Sequence, residues 1–203
     1  MILYGPGGEL TSDALVDSLM SDYNSTDKSK FIDLAGSIAR HESKDLDRNG
    51  LYFQNPKRRQ DGGGPGSGSY QLEIGVDKGG IVAARRLYNY LNRRGMEVPK
   101  WLNSARTKPS LDASKFTPDQ QTMLFWGYHR MGPSKLGDYI GGKLSAEDFW
   151  GEYHQTKNDP KKKESFRKDM QAYEAVRDKK NGVHKSNVTG VGNSAISVKP
   201  DYL

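Results

Sequence analysis

Apolar side chains recur at helical spacing along most of this chain, and that period decides what it can fold into. The segment 11–23 places Leu15, Leu19 and Tyr23 on one side, with Thr11 as its cap. The next carries Phe31, Leu34, Ala35, Ile38, Ala39 and Glu42 on one stripe behind a cap at Thr26 or Asp27. Over 78–94, Ile81, Ala84, Leu87, Tyr88 and Leu91 turn inward, between Asp77 as cap and Gly95 past the end. The sequence FTPDQQ is a helix start: Thr117 caps, Pro118 takes the first turn and Gln120 completes a capping box. That helix carries Met123, Leu124, Trp126 and Tyr128 and stops at Gly132 and Pro133. A short helix follows over 134–140. Another starts at Ser145 and buries Phe149, Trp150 and Tyr153. A last helix, 161–179, shows Phe166, Met170, Tyr173 and Val176 on one face and Lys and Arg on the other. The expected fold class is mostly α.

Two stretches break the period. Residues 44–70 are rich in Gly, Asn, Asp, Pro and basic side chains, so a long loop is expected, and a loop of that length in a compact domain is usually functional. Brief alternation predicts short strands around 51–54 and 70–74, a small β element. Residues 96–116, with Pro99 and Pro109, read as irregular. Residues 1–10 read as an N-terminal arm. Residues 181–203 are short on large apolar side chains and read as an extended tail. A chain of 203 residues then amounts to one domain with extensions.

The absence of cysteine excludes disulfides and Cys-ligated zinc or iron–sulfur sites. The start MILYGPGGEL lacks a basic region followed by a continuous apolar run, so no signal peptide is expected. No apolar run approaches the ~18 residues of a membrane span. Net charge is +6, and residues 157–185 hold ten Lys and Arg against five Asp and Glu. Such a patch attracts a polyanion (nucleic acid, phosphate headgroups or an acidic cell wall), or is simply a solvated helix face. Phe166 and Tyr173 fall on the inward side, away from these charges, which weighs against a nucleic-acid binder.

Histidines 41, 129, 154 and 184 have no metal-ligand spacing, and no G-x-S-x-G elbow stands between a strand and a helix. In DLDRNG, residues Asp45, Asp47, Asn49 and Gly50 match half a calcium loop, but the twelfth position, where a bidentate Glu belongs, is Pro56. No metal and no cofactor are expected. Glu42 stands out because it lies on a core-facing stripe at a helix end. Either it pairs with a basic side chain from another segment, or it looks into a cleft with its proton retained near neutral pH. A carboxylic acid in the second state can protonate a leaving oxygen, the general-acid half of glycoside cleavage.

Three short motifs stand in order: His41-Glu42-Ser43 at a helix end, Gly66-Ser67-Gly68-Ser69-Tyr70-Gln71-Leu72 after the loop, and Phe116-Thr117-Pro118-Asp119-Gln120-Gln121 at a helix start. Together they resemble the lysozyme-like superfamily over roughly residues 26–156. The chain looks closest to lambda-type phage endolysins, which are lytic transglycosylases, and is more distantly similar to soluble bacterial lytic transglycosylases. The resemblance implies an α+β lysozyme-like fold with a glycan cleft and a catalytic domain over 11–156; the arm and the chain after about 157 fall outside the match, and the basic amphipathic helix, 157–180, is expected to pack on that domain. It implies that Glu42 is the catalytic acid/base, and that Ser43, Gly68, Ser69, Tyr70 and Gln71 contact the glycan. GGGPGSGSYQLE then reads as cleft wall rather than as a hinge. Glycines admit close approach of a sugar, and Gln71 offers a donor and an acceptor to an N-acetyl group. Tyr70 either stacks on a pyranose or packs into the core. Ser69 departs from the pattern, since the bacterial enzymes carry an apolar residue there, and NPKRRQDGGG is an unusual basic insert.

The implied activity is cleavage of the MurNAc–GlcNAc β-1,4 bond of peptidoglycan. A hydrolase needs a second carboxylate ~5–9 Å across the cleft, for which Asp45, Asp47, Asp61 and Glu73 are candidates and none stands out. A transglycosylase needs only Glu42. The expected location is a phage virion, the host periplasm or both, with the arm and tail contacting other virion proteins. The rival expectation is a non-catalytic, lysozyme-like structural component of a virion.

Overall fold

A computed structural model describes residues 10–43, 66–130, 135–153 and 159–180. These are mostly helical, with one two-stranded antiparallel sheet. In chain order they form α1 (Ser12–Asp22), α2 (Lys28–Ser43), β1 (Gly66–Ser67), β2 (Leu72–Glu73), α3 (Gly79–Arg93), α4 (Lys100–Ala105), a 3-10 turn (Ala113–Lys115), α5 (Pro118–Arg130), α6 (Leu136–Ile140), α7 (Ala146–Tyr153) and α8 (Pro160–Lys180). The mostly-α class with a small β element is what these residues adopt. The arm up to residue 9, the tail, the strand expected at 51–54, the half calcium loop, Asp61, Gly132, Pro133, His154 and His184 lie outside the described residues, while Leu10, the last residue of the arm, is buried in the core.

Local chemistry explains where most helices begin. The Thr11 hydroxyl accepts from Ala14 N–H at 3.2 Å. Asp27, rather than Thr26, caps α2 and accepts from Ser29 N–H at 3.0 Å. The FTPDQQ capping box forms in both directions: Thr117 N–H donates to Gln120 Oε1 at 3.1 Å, and Gln120 N–H to Thr117 Oγ1 at 3.2 Å. Ser145 caps α7 by accepting from Asp148 N–H at 3.1 Å. Two expectations need correcting. Asp77 does not cap α3: its backbone is left-handed, at φ 53°, and its carboxylate pairs with Arg85. The stretch 96–116 is not wholly irregular, because Pro99 takes the N-cap position of α4, where its fixed φ and missing N–H cost nothing.

The centre of the core is the crossing of α3 and α5. Ile81, Ala84, Leu87 and Leu91 are fully buried against Met123, Leu124, Phe125 and Trp126. Tyr90 joins them, its hydroxyl hydrogen-bonded to Ser18 at 2.8 Å. The expected Tyr88 is only partly buried and lies under the Arg106 guanidinium, 3.8 Å from the ring centroid. Gly127 sits at the crossing itself. A Cβ there would lie 2.5 Å from Leu87 Cβ and 2.9 Å from the Ala83 carbonyl oxygen, so the two helices touch backbone to side chain. Gly127→Ala is therefore expected to destabilise the protein by ~1–3 kcal/mol through overpacking. A thermal melt checks this, since each kcal/mol moves the midpoint of a chain this size by ~2–4 °C.

α2 is covered on both sides. Phe31, Leu34 and Ile38 face the core, Phe31 meeting Trp126 edge-on at 5.6 Å. The opposite side carries α8. Gly36 leaves room for the Tyr173 ring, since a Cβ there would lie 2.1 Å from Tyr173 Cζ. Arg177 pairs with Asp33, and Asp169 pairs with Arg40 at 3.4 Å and His41 at 2.7 Å. The basic helix thus packs on α2 and α7, and along α2 it runs from Asp33 to the end that carries Glu42. Among the described residues no helix is long and apolar enough to cross a membrane.

Candidate active site

Glu42 is the penultimate residue of α2 and is half-buried. Its Oε1 accepts a hydrogen bond from the Trp150 indole Nε1–H at 2.8 Å. Trp150 is buried and comes from α7, whose register is fixed by the Ser145 cap. An indole N–H can only donate, and it carries no charge. It therefore fixes the orientation of the carboxyl group without neutralising it. Both readings that the sequence left open, ion pair and cleft acid, are compatible with a carboxyl group oriented by this neutral donor.

Two rings support the indole. Phe166 of α8 stacks on it, with centroids 5.2 Å apart and planes 10° from parallel. His41 meets it edge-on at 4.6 Å and 77°. The His41 Nδ1–H donates to the Asp169 carboxylate at 2.7 Å, which sets the ring's orientation.

The glycine-rich motif forms a hairpin. Gly66 pairs with Glu73 and Ser67 with Leu72, and residues 68–71 make the turn. Gly68 (φ 75°) and Gln71 (φ 48°) are both left-handed, and Gln71 N–H donates to the Gly68 carbonyl at 3.2 Å. The turn folds inward against α5. Gln121, fully buried, accepts from Ser69 N–H at 2.7 Å and donates to the Phe116 carbonyl at 2.8 Å. Ser67 adds a second tie, accepting from Ala113 N–H at 3.0 Å and donating to the Leu72 carbonyl at 3.1 Å. The second and third sequence motifs are thus stapled together by Gln121.

This placement changes the roles expected of the turn residues. A Cβ on Gly68 would lie 2.4 Å from Gln121 Oε1, so the close approach that glycine permits is to Gln121. Tyr70 is a core residue: it is 1 % exposed, stacked on Phe125 at 4.5 Å, with its hydroxyl on Thr122 at 3.0 Å. Burial pushes that hydroxyl well above the usual tyrosine range, against the smaller lowering effect of Thr122. Ser43 is fully buried and its hydroxyl donates back to the Ala39 carbonyl, a bond internal to α2. Tyr70 and Ser43 are therefore packing residues in this structure rather than glycan contacts. Gln71 is the half-exposed side chain of the turn, and its Nε2–H donates to the Gly68 carbonyl at 2.8 Å. Glu73, one candidate for a second carboxylate, is exposed on β2.

Ser69 is fully buried, and its hydroxyl has no hydrogen-bond partner. Ser69→Ala is expected to raise stability by about 1 kcal/mol, because it removes a buried hydroxyl whose desolvation nothing offsets. Denaturant unfolding reads this directly.

Several basic side chains of α8 make ion pairs within the fold. Lys163 pairs with Asp148 at 2.5 Å and Arg167 with Glu147 and Glu164 at 2.9 Å each, while Arg177 joins Asp33 to Asp178. Part of the positive charge expected to attract a polyanion is thus engaged within the protein. Sequence reasoning read Trp150 as core only and did not assign Gln121, Phe166 or Asp169 to the site. The doubled glutamine of FTPDQQ was the available signal, since Gln120 alone completes the capping box.

Comparison of the chain with known protein families, with curated proteins and with solved structures finds no match. Side-chain geometry and the motif order therefore carry the functional reading.

Proposed function

We propose that this chain is a peptidoglycan-cleaving enzyme of the lytic transglycosylase type, with Glu42 as acid and then base. The observation that carries the reading is the half-buried Glu42 carboxyl at the end of α2, oriented at Oε1 by the neutral Trp150 donor. The motif order and the Gln121-stapled turn add support. In the first step the Glu42 carboxyl gives its proton to the glycosidic oxygen as the bond from MurNAc C1 breaks. In the second, the Glu42 carboxylate takes the proton from the MurNAc 6-hydroxyl as that oxygen closes on C1. The products are a 1,6-anhydro sugar and a strand ending in a free GlcNAc 4-hydroxyl, with no water consumed and the proton returned to Glu42. One carboxyl group serves both steps, so no second acid is required. A place in a phage virion or the host periplasm fits this substrate.

The test is product analysis. Purified peptidoglycan is incubated with the wild type and with Glu42→Gln, and the released muropeptides are weighed. Products lighter by one water than hydrolytic ones, absent with the variant, are expected. Reducing-end products would instead mark a muramidase and direct attention to Asp45, Asp47, Asp61 and Glu73. No products from either protein would favour the non-catalytic virion component, a reading to which the inward-folded turn also lends itself.

A further inference from the structure

We propose that α8 is a working part of the site, with Asp169 and Phe166 as positioning residues that act on Glu42 through His41 and Trp150. The inference rests on the reading of Glu42 as the acid. The helix lies beyond the motifs that suggested that reading, yet its side chains surround the residue that holds Glu42. Phe166 is fully buried and covers one face of the Trp150 indole. Asp169 fixes the His41 ring, and His41 packs edge-on against both Trp150 at 4.6 Å and Phe166 at 5.5 Å. The indole is thus confined by α8 from the side of Phe166 and by an α8-oriented imidazole from another. Its N–H then has one direction in which to point, and Glu42 Oε1 is 2.8 Å away along it. A hydrogen bond whose donor is held by packing keeps its geometry when substrate enters, and that constancy is what a positioned acid needs.

The chain provides its own readout. It has three tryptophans, so an amide nitrogen–proton spectrum shows three indole signals. Trp150→Phe assigns one of them, and the indole of Trp126, buried without a partner, serves as a reference. Glu42→Gln should move the Trp150 signal alone. Asp169→Ala and Phe166→Leu should move the same signal, leave Trp126 in place, and lower turnover at saturating peptidoglycan about tenfold, within the ~10²-fold that an ångström of misplacement costs. The half-saturating concentration should not change. Asp169→Asn keeps an acceptor oxygen for His41 and should restore most of both readouts.

Arg177→Gln is the control. It removes the contact with Asp33 in the same interface between α2 and α8, ~13 Å along α2 from Glu42, and should lower the melting midpoint without touching signal or turnover. If Asp169→Ala and Phe166→Leu behave like Arg177→Gln, α8 is packing only and the inference is overturned. If the wild type releases no muropeptides, the glycan reading fails by itself. The indole signal still decides the positioning: moved by both α8 variants it supports the role, unmoved it removes it.

Discussion

Glu42→Gln is expected to abolish glycan cleavage to within measurement, a loss of ~10²–10⁴-fold, while leaving the fold intact. The substitution replaces one oxygen by an amide nitrogen of the same size. The remaining carbonyl oxygen still accepts from Trp150 Nε1–H, so the side chain keeps the bond that orients it. On the proposed mechanism, what disappears is the proton that the carboxyl group delivers and later recovers, because an amide does neither near neutral pH. The melting midpoint should stay within about 2 °C of the wild type, since the buried indole keeps its acceptor. Glu42→Asp separates chemistry from position. It retains the acid but withdraws it by one methylene, out of reach of the indole, and should retain the fold while losing ~10²-fold in rate. Muropeptide release, with circular dichroism as the check on folding, measures both variants. An active Glu42→Gln enzyme would remove Glu42 from the mechanism altogether.

What could be read in the sequence was what neighbouring residues decide. Thr11, Thr117 with Gln120, and Ser145 cap the helices they precede because a cap is a bond over three residues. The stripe of α2 was legible for the same reason, down to Glu42 at its end. Asp77 failed as a cap because its left-handed backbone turns the carboxylate toward Arg85, a preference that composition does not reveal. Tyr90 rather than Tyr88 is buried because α3 is covered over a wide arc by α1 and α5, and a narrow apolar stripe underestimates that arc. The glycine-rich stretch showed that the backbone is approached closely, yet not by what. A sugar and a buried glutamine make the same demand on Gly68. The bond from Trp150 to Glu42 and that from Ser69 to Gln121 join residues far apart in the chain, and no local pattern announces either.

Gln121→Ala is expected to destabilise the protein by roughly 3–5 kcal/mol, lowering the melting midpoint on the order of 10 °C. The side chain is fully buried and makes two bonds that nothing else replaces. Its removal leaves the Ser69 N–H and the Phe116 carbonyl without partners, each at ~1–3 kcal/mol, and opens a space between the turn and α5. Because Gly68 lies directly against Gln121, the turn loses the surface that holds its left-handed residues in place. Gln121→Glu divides the two bonds. When ionised, the introduced carboxylate would still accept from Ser69 N–H but would set an oxygen against the Phe116 carbonyl. When protonated, it would donate to that carbonyl as the amide does. Burial and this donor role raise the folded-state pKa of the new carboxyl group above its unfolded value. The stabilising contribution is therefore complete below about pH 4 and is lost as pH rises through the folded value. The variant should fall furthest below wild type at pH 8 and recover part of the gap at pH 4, measured by denaturant unfolding at each. A cost below about 1 kcal/mol for Gln121→Ala would mean that solvent satisfies the two backbone groups, and that the turn is held by the Ser67 tie and the Tyr70–Phe125 stack instead.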